Sequence, residues 1–443
     1  MRNGVMPIRR HVPFPVTNIS ASVGDNTVTI SFTNPIGQFI GVRLVYKTGS
    51  YPADITDGTI VSPYTSGTPI TGLTGNTQYY FRLFPFNMFW LFNTSVTQQI
   101  SATPTAAAVL SKYGAASPMS PARFQYAAGS VGTATQTDGL WALFLGGVTS
   151  SGSANINNTV DIYNPSLVRS ATTAYNPIHQ QVARRYLNML VFSGGWNSSG
   201  ANLGDTMCFT DTLTKYAMTG LSQNRHLCGS TSTGQYCLIA GGRVSSAVTT
   251  VDVYNAARTH SLPGQALSAA REKPAGAQIG DYGIVAGGNR GTSGAPTSSA
   301  AVEAYNLTLG RSLPAMLSGA RYSCWGVTVG NYAIIGPGNT NTVDAYDALL
   351  TKHPIAAVVI SGYTYVNGTA VSIKGKFGLF FGNGAFNNNV VNAYDANLTR
   401  STPTGFTRNR TFAGAAEVGI YGLLGGGYDG NQAYGDVDVW QVT

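Results

Sequence analysis

Short segments of alternating apolar and polar residues recur along the chain, the pattern of half-buried strands. TVTISF at 27–32 and GVRLVYKTG at 41–49 are clear cases, punctuated by Gly-Asp-Asn at 24–26 and Asn-Pro at 34–35. YYFRLFPF at 79–86 and TSVTQQISATP at 94–104 read as two more strands. The loop between them breaks the pattern: Met88, Phe89, Trp90, Leu91 and Phe92 form an unbroken apolar run between two asparagines. A surface loop is ordinarily polar, so this run needs a partner. TPTAAAV at 103–109 reads as a linker.

Beyond the linker the pattern becomes a repeat. An apolar triplet enters a glycine pair in LFLGG (143–147), VFSGG (191–195), LIAGG (238–242) and IVAGG (284–288). IGPG (335–338), FFGNG (380–384) and LGGG (424–427) are looser copies. The first glycines fall roughly 44–50 residues apart. Each copy is followed by a segment such as TVDIYN or TVDVYN, whose aromatic is Tyr163, Phe209, Tyr254, Tyr305, Tyr346, Tyr394 or Trp440. An arginine precedes each copy at 123, 185, 225, 271, 321 and 410, except the sixth, which has only Tyr363 and Tyr365.

Arginine, glycine pair and aromatic at this period resemble the kelch repeat, and seven copies imply a seven-bladed β-propeller over 105–443. Stacking explains the period, because one small sheet cannot bury both its faces alone. The glycines are expected to let the second strand pass close to its neighbour's backbone, and the arginines to bond backbone between blades. SKYGAASPMSPAR (111–123) parallels TKYAMTGLSQNR (214–225), so residues near 109–114 are expected to pair with 436–442 and complete the last blade. Upstream, Leu73, Thr77 and Tyr79 in LTGNTQYYFRL have the spacing of a tyrosine corner, in which a Tyr hydroxyl bonds back to upstream chain. Residues 13–104 thus resemble a fibronectin type III domain, with Phe32 where that family usually carries Trp. The expected fold is all-β: a basic arm (1–12), a fibronectin type III-like sandwich (13–104) and a kelch-like seven-bladed propeller (105–443).

Composition narrows the function. Charged residues make up only 10 % and glycines number 54, which suits short strands and turns. Net charge is +8, and Arg2, Arg9 and Arg10 form the one local basic cluster. This modest charge favours anionic partners such as acidic glycans, and the short arm reads as a solvated terminus, so no nucleic acid is expected. Cys208, Cys228, Cys237 and Cys324 lack CxxC spacing and read as thiols, with a Cys228–Cys237 bridge left open. The N-terminus shows no secretory h-region, and no apolar run reaches membrane-spanning length.

Catalytic patterns are missing from the sequence. The five histidines, His11, His179, His226, His260 and His353, show no ligand-pair spacing, so no metal or other cofactor is expected. There is no sialidase-type box, Walker loop, HExxH or GxSxG. A binding face is expected instead, built from the Ser-, Asn- and Gly-rich loops after each glycine pair. Its candidate residues are Trp196, Arg243, Arg290, Phe386 and Tyr428, since aromatic faces stack on sugars and polar groups bond hydroxyls.

YKTGSYPADITDGTIV (46–61) and YYFRLFPFN (79–87) resemble the fibronectin-type modules of bacteriophage tail and fibre proteins. That resemblance implies a non-enzymatic virion protein on the particle exterior, most simply a tail-associated adhesin. Its propeller would meet a host surface glycan or protein. Its first domain, through Met88–Phe92, would meet other virion subunits or a second copy of itself; docking of that loop on its own chain is the alternative. A capsid decoration or head-fibre protein, and a carbohydrate-active propeller enzyme, remain open.

Overall fold

The structure is a computed structural model describing residues 11–37, 39–134, 138–150, 155–174, 176, 178–292, 295–359, 367–382 and 389–443. It is all-β. Among the described residues there are 35 strands and no helix long and apolar enough to cross a membrane. The chain divides into two compact units, Met1–Val109 and Leu110–Thr443.

In the first unit, a three-stranded and a four-stranded antiparallel sheet share one core. Thr27–Thr33 pairs with Thr17–Gly24, and Gly41–Thr48 pairs with Tyr79–Phe86. The alternation seen in the sequence places Val28, Ile30 and Phe32 of one sheet against Leu44, Phe81 and Leu83 of the other. Tyr64 pins this core from a loop: its hydroxyl donates to Thr68 O at 2.7 Å and accepts from Ile30 N at 3.0 Å. Thr74 N donates to the Tyr79 hydroxyl at 3.0 Å, so the tyrosine does bond back to chain upstream of it.

The second unit holds seven four-stranded antiparallel sheets among the described residues. Their first strands are Ala127–Val131, Val182–Tyr186, Gly229–Ser232, Ala275–Ile279, Gly326–Val329, Thr369–Ile373 and Gly414–Val418. Each of these strands touches the next, and Gly414–Val418 touches Ala127–Val131. In six sheets the four strands are consecutive in the chain; in the last, Leu110–Ala116 is the fourth strand, antiparallel to Val437–Val442. The register runs from Val437 opposite Ala116 to Val442 opposite Leu110. Lys112 pairs with buried Asp438 at 2.5 Å and lies over the Trp440 ring.

The repeated residues have distinct jobs. Gly195 N donates to Arg225 O, Gly242 N to Arg271 O, Gly288 N to Arg321 O and Gly427 N to Arg123 O, all at 2.9–3.0 Å. In these four sheets the second glycine therefore bonds the segment entering the following sheet, whereas Gly338 of the fifth donates to Thr340 O of its own loop. A Cβ at Gly194 would sit 2.5 Å from Arg225 O, and the residue has φ +67°, so only glycine fits this approach. The repeated aromatics also bridge sheets: the Tyr254 hydroxyl donates to Thr219 O and Trp440 Nε1 to Thr404 O.

Two expectations are corrected. The arginine side chains bond within their own sheet, not between sheets. Arg225 donates to Ile239 O and Gly241 O and pairs with Asp252; Arg321 donates to Ile335 O and Gly336 O and pairs with Asp344. Their backbone carbonyls, not their guanidiniums, make the link to the neighbouring sheet. Arg185, further, does not belong to the series. It lies within Val182–Tyr186, and the series position is Ile178, whose carbonyl accepts from Gly147 N at 3.0 Å. The acidic partner is missing there too, because fully buried Cys208 occupies the place of Asp161 and Asp252. An ion pair has been replaced as a unit by two apolar side chains, which the low dielectric of the interior tolerates well. The positions of Tyr363 and Tyr365 lie outside the described residues. All four cysteines are free thiols; Cys208, Cys237 and Cys324 are buried and Cys228 half-buried.

Candidate functional site

The seven first strands line a cavity of about 1160 Å³ in the second unit. Seven residues line one part of its wall, one entering each sheet: Gln125, Gln180, Leu227, Lys273, Ser323, Asn367 and Phe412. All have left-handed backbones, with φ between +50° and +68°. Neighbours in this set bond through their backbones: Gln180 N to Gln125 O, Gln125 N to Phe412 O, Phe412 N to Asn367 O and Lys273 N to Leu227 O. Left-handed conformations cost non-glycine residues about 1 kcal/mol or more each, so the surrounding hydrogen bonds must impose them. The side chains have no chemistry in common, so no sequence pattern marks the set.

Charge in the cavity is uneven. Arg184 and Arg185 are adjacent on one strand, so their side chains leave by opposite faces. Arg184 Nε donates to Ser232 Oγ at 3.0 Å, and Ser232 Oγ donates to Gln278 Oε1 at 2.7 Å. Burial pushes the Arg184 guanidinium down to about 10. Arg185 donates to Thr133 O and feels Glu417 and Asp138, which oppose the lowering caused by its burial. Glu417 is buried, and burial pushes its carboxyl up to about 8, although Lys374 N donates to it and Arg185 draws it down. Neither Arg184 nor Glu417 stood out in the sequence, since nothing in their spacing distinguishes a cavity wall from a solvated face.

Of the residues expected to form a binding face, Trp196, Arg243 and Tyr428 fall at equivalent places beside this wall. Isolated bridges join His179 to Trp196, His226 to Arg243 and Thr411 to Tyr428, so in these three sheets the entering turn meets the segment after the glycine pair. Their side chains are engaged with neighbours. Trp196 is half-buried, lies 4.1 Å from the His226 ring and donates from Nε1 to Asn202 Oδ1. Burial lowers both histidines, His226 to about 4, and leaves neither ring nitrogen of His179 with a hydrogen bond among the described residues. Arg243 pairs with Glu272 and donates to Gly291 O. Tyr428 stacks on Phe124 at 4.6 Å and donates its hydroxyl to Gly430 O. Arg290 is exposed. Phe386 lies outside the described residues. Among the described residues no three His, Cys, Asp or Glu side chains group to hold a metal ion.

The apolar loop of the first unit is ordered by its asparagines. Asn87 Oδ1 accepts from Phe89 N and Leu91 N, while Asn87 Nδ2 donates to His11 O and Asn93 Nδ2 to Pro13 O. Trp90, at φ +57°, stacks on Phe86 at 4.9 Å and 6°. Phe92 closes the cluster against Phe86, with Arg43 over its ring. Phe89, Leu91 and Phe92 are half-buried, whereas Trp90 is 60 % and Met88 68 % exposed within their unit.

No protein-family model and no curated protein matches this chain.

Proposed function

We propose that the chain is a non-enzymatic bacteriophage virion protein, a tail-associated adhesin on the particle exterior. In this reading the second unit is a seven-bladed kelch-type propeller that binds a host surface glycan. The first unit is a fibronectin type III-like sandwich that anchors it to other virion subunits. The observation that carries the reading is the Met88–Phe92 loop. Its asparagines hold a Trp and a Met outward in a fixed conformation, the composition and order of an interface anchor. The propeller reading draws support from the glycine-to-carbonyl bonds between successive sheets, including Gly427 to Arg123, and from the pairing of Leu110–Ala116 with Val437–Val442.

The test is the Trp90→Ser, Phe92→Ser double variant of the full chain. It is expected to fold, because Trp90 is mostly exposed, and to lose incorporation into particles. Incorporation at the wild-type level would overturn the anchoring role. A carbohydrate-active enzyme is the second reading, favoured by one observation: Glu417 carries a raised carboxyl in the cavity, as a general acid at neutral pH requires. Release of reducing sugar from a bound surface polysaccharide, lost in Glu417→Gln, would establish it in place of the adhesin.

A further inference from the structure

We propose that the cavity of the second unit binds an acidic saccharide whose carboxylate is held by Arg184. The proposal rests on the adhesin reading for the saccharide and names its chemistry and its site. While buried Arg82 of the first unit donates to carbonyls, the five buried arginines of the second unit, Arg123, Arg225, Arg271, Arg321 and Arg410, each have a carboxylate partner. Arg184 has none among the described residues; its hydrogen bond runs from Nε to Ser232 Oγ. Ser232 is itself fixed by Gln278. The guanidinium is thus oriented by its Nε, with its two terminal nitrogens left for a planar acceptor. Arg184 is half-buried, and no carboxylate stands beside its guanidinium among the described residues; a ligand carboxylate supplies that charge.

Two further groups point to a hydroxyl-rich ligand rather than a bare anion. Ser323 lines the cavity at 4 % exposure, and its Oγ has no hydrogen-bond partner among the described residues. Gln181 lines it too, and neither its amide nitrogen nor its amide oxygen has a partner among the described residues. Buried polar atoms in native proteins are nearly always satisfied, so these mark where ligand hydroxyls would bond. Lys273 adds positive charge to the wall, since its neighbour Glu272 is already committed to Arg243.

The experiment titrates the full chain with D-glucuronate, D-glucose and inorganic phosphate, followed by saturation-transfer NMR. Wild type is expected to bind glucuronate saturably and at least tenfold more tightly than glucose or phosphate. Arg184→Gln should weaken glucuronate at least tenfold and leave glucose unchanged. Arg184→Lys should recover part of the loss, and Ser232→Ala should weaken glucuronate two- to fivefold by freeing the guanidinium. Absence of saturable glucuronate binding, or wild-type binding in Arg184→Gln, overturns the site; phosphate binding as tight as glucuronate overturns the saccharide. Cell adhesion separates the two readings. Adhesion without glucuronate binding sinks the site and leaves the adhesin; glucuronate binding at Arg184 without adhesion to cells or surface polysaccharide sinks the adhesin and leaves the site.

Discussion

Glu417 shows what one buried side chain does to the pH dependence of the whole unit. Its carboxyl titrates near 8 when folded, against an ordinary value of 4.5. Between those limits the folded chain keeps a proton that the unfolded chain releases. Stability therefore falls as pH rises through this window and levels off above about 8. Glu417→Gln keeps an oxygen to accept from Lys374 N and removes the titration. We expect the variant to be more stable than wild type by on the order of 2–4 kcal/mol at pH 8.5, and nearly equal to it at pH 4.5. Urea midpoints at the two pH values measure this directly. An equal difference at both would mean that the carboxyl is not held neutral by burial. The opposite sign holds at Asp252. Burial alone would raise its carboxyl, but Arg225, Ser222 N and His260 together hold it below the usual range, so its contribution is lost only as pH falls through that lowered value.

At the scale of the element, the sheet-to-sheet joint was legible in part. The glycine pairs and the repeated aromatics could be read because geometry restricts the first to glycine and the second to flat rings: a Cβ strikes a carbonyl at Gly194, and a ring fills the slot at Tyr254. The arginine series was misread at one place. Arg185 sits seven residues beyond Ile178, near enough in phase to be mistaken for it, and only the Gly147-to-Ile178 bond identifies the true position. The left-handed set at the cavity was not legible at all, because its conformation is imposed by hydrogen bonds to neighbouring sheets and not by residue type. The Ile178/Cys208 joint makes a test of how the ion pairs work elsewhere. Ile178→Arg alone should cost about 3–5 kcal/mol by burying an unpaired charge. Adding Cys208→Asp should return a large part of it, with a coupling of about 2 kcal/mol or more in a double-mutant cycle. Additive costs would show that the pair at Arg225 and Asp252 owes its geometry to surroundings this joint lacks.

For the whole molecule, the question is where an independently folding unit begins. The sequence suggested a linker over 103–109 and a second domain from 105, whereas the compact unit starts at Leu110, the first residue of the strand that completes the last sheet. That strand joins residues more than three hundred positions apart. It carries the Lys112–Asp438 pair and leads directly to Ser117, whose carbonyl accepts from the Tyr163 hydroxyl at 2.7 Å in the first sheet. One segment therefore ties the last sheet to the first. A chain spanning 110–443 should be soluble and unfold cooperatively. A chain spanning 118–443 should lose several kcal/mol, at about 1 kcal/mol for each ladder hydrogen bond removed, and should also expose the edge of Val437–Val442. An exposed apolar edge is a template for association, so this chain should elute as aggregate where the longer one elutes as monomer. Supplying a synthetic peptide of residues 108–118 should then restore the monomer, because the peptide fills the vacant edge in the native register. If the shorter chain is monomeric and as stable as the longer one, the strand is an appendage and the last sheet is complete with three.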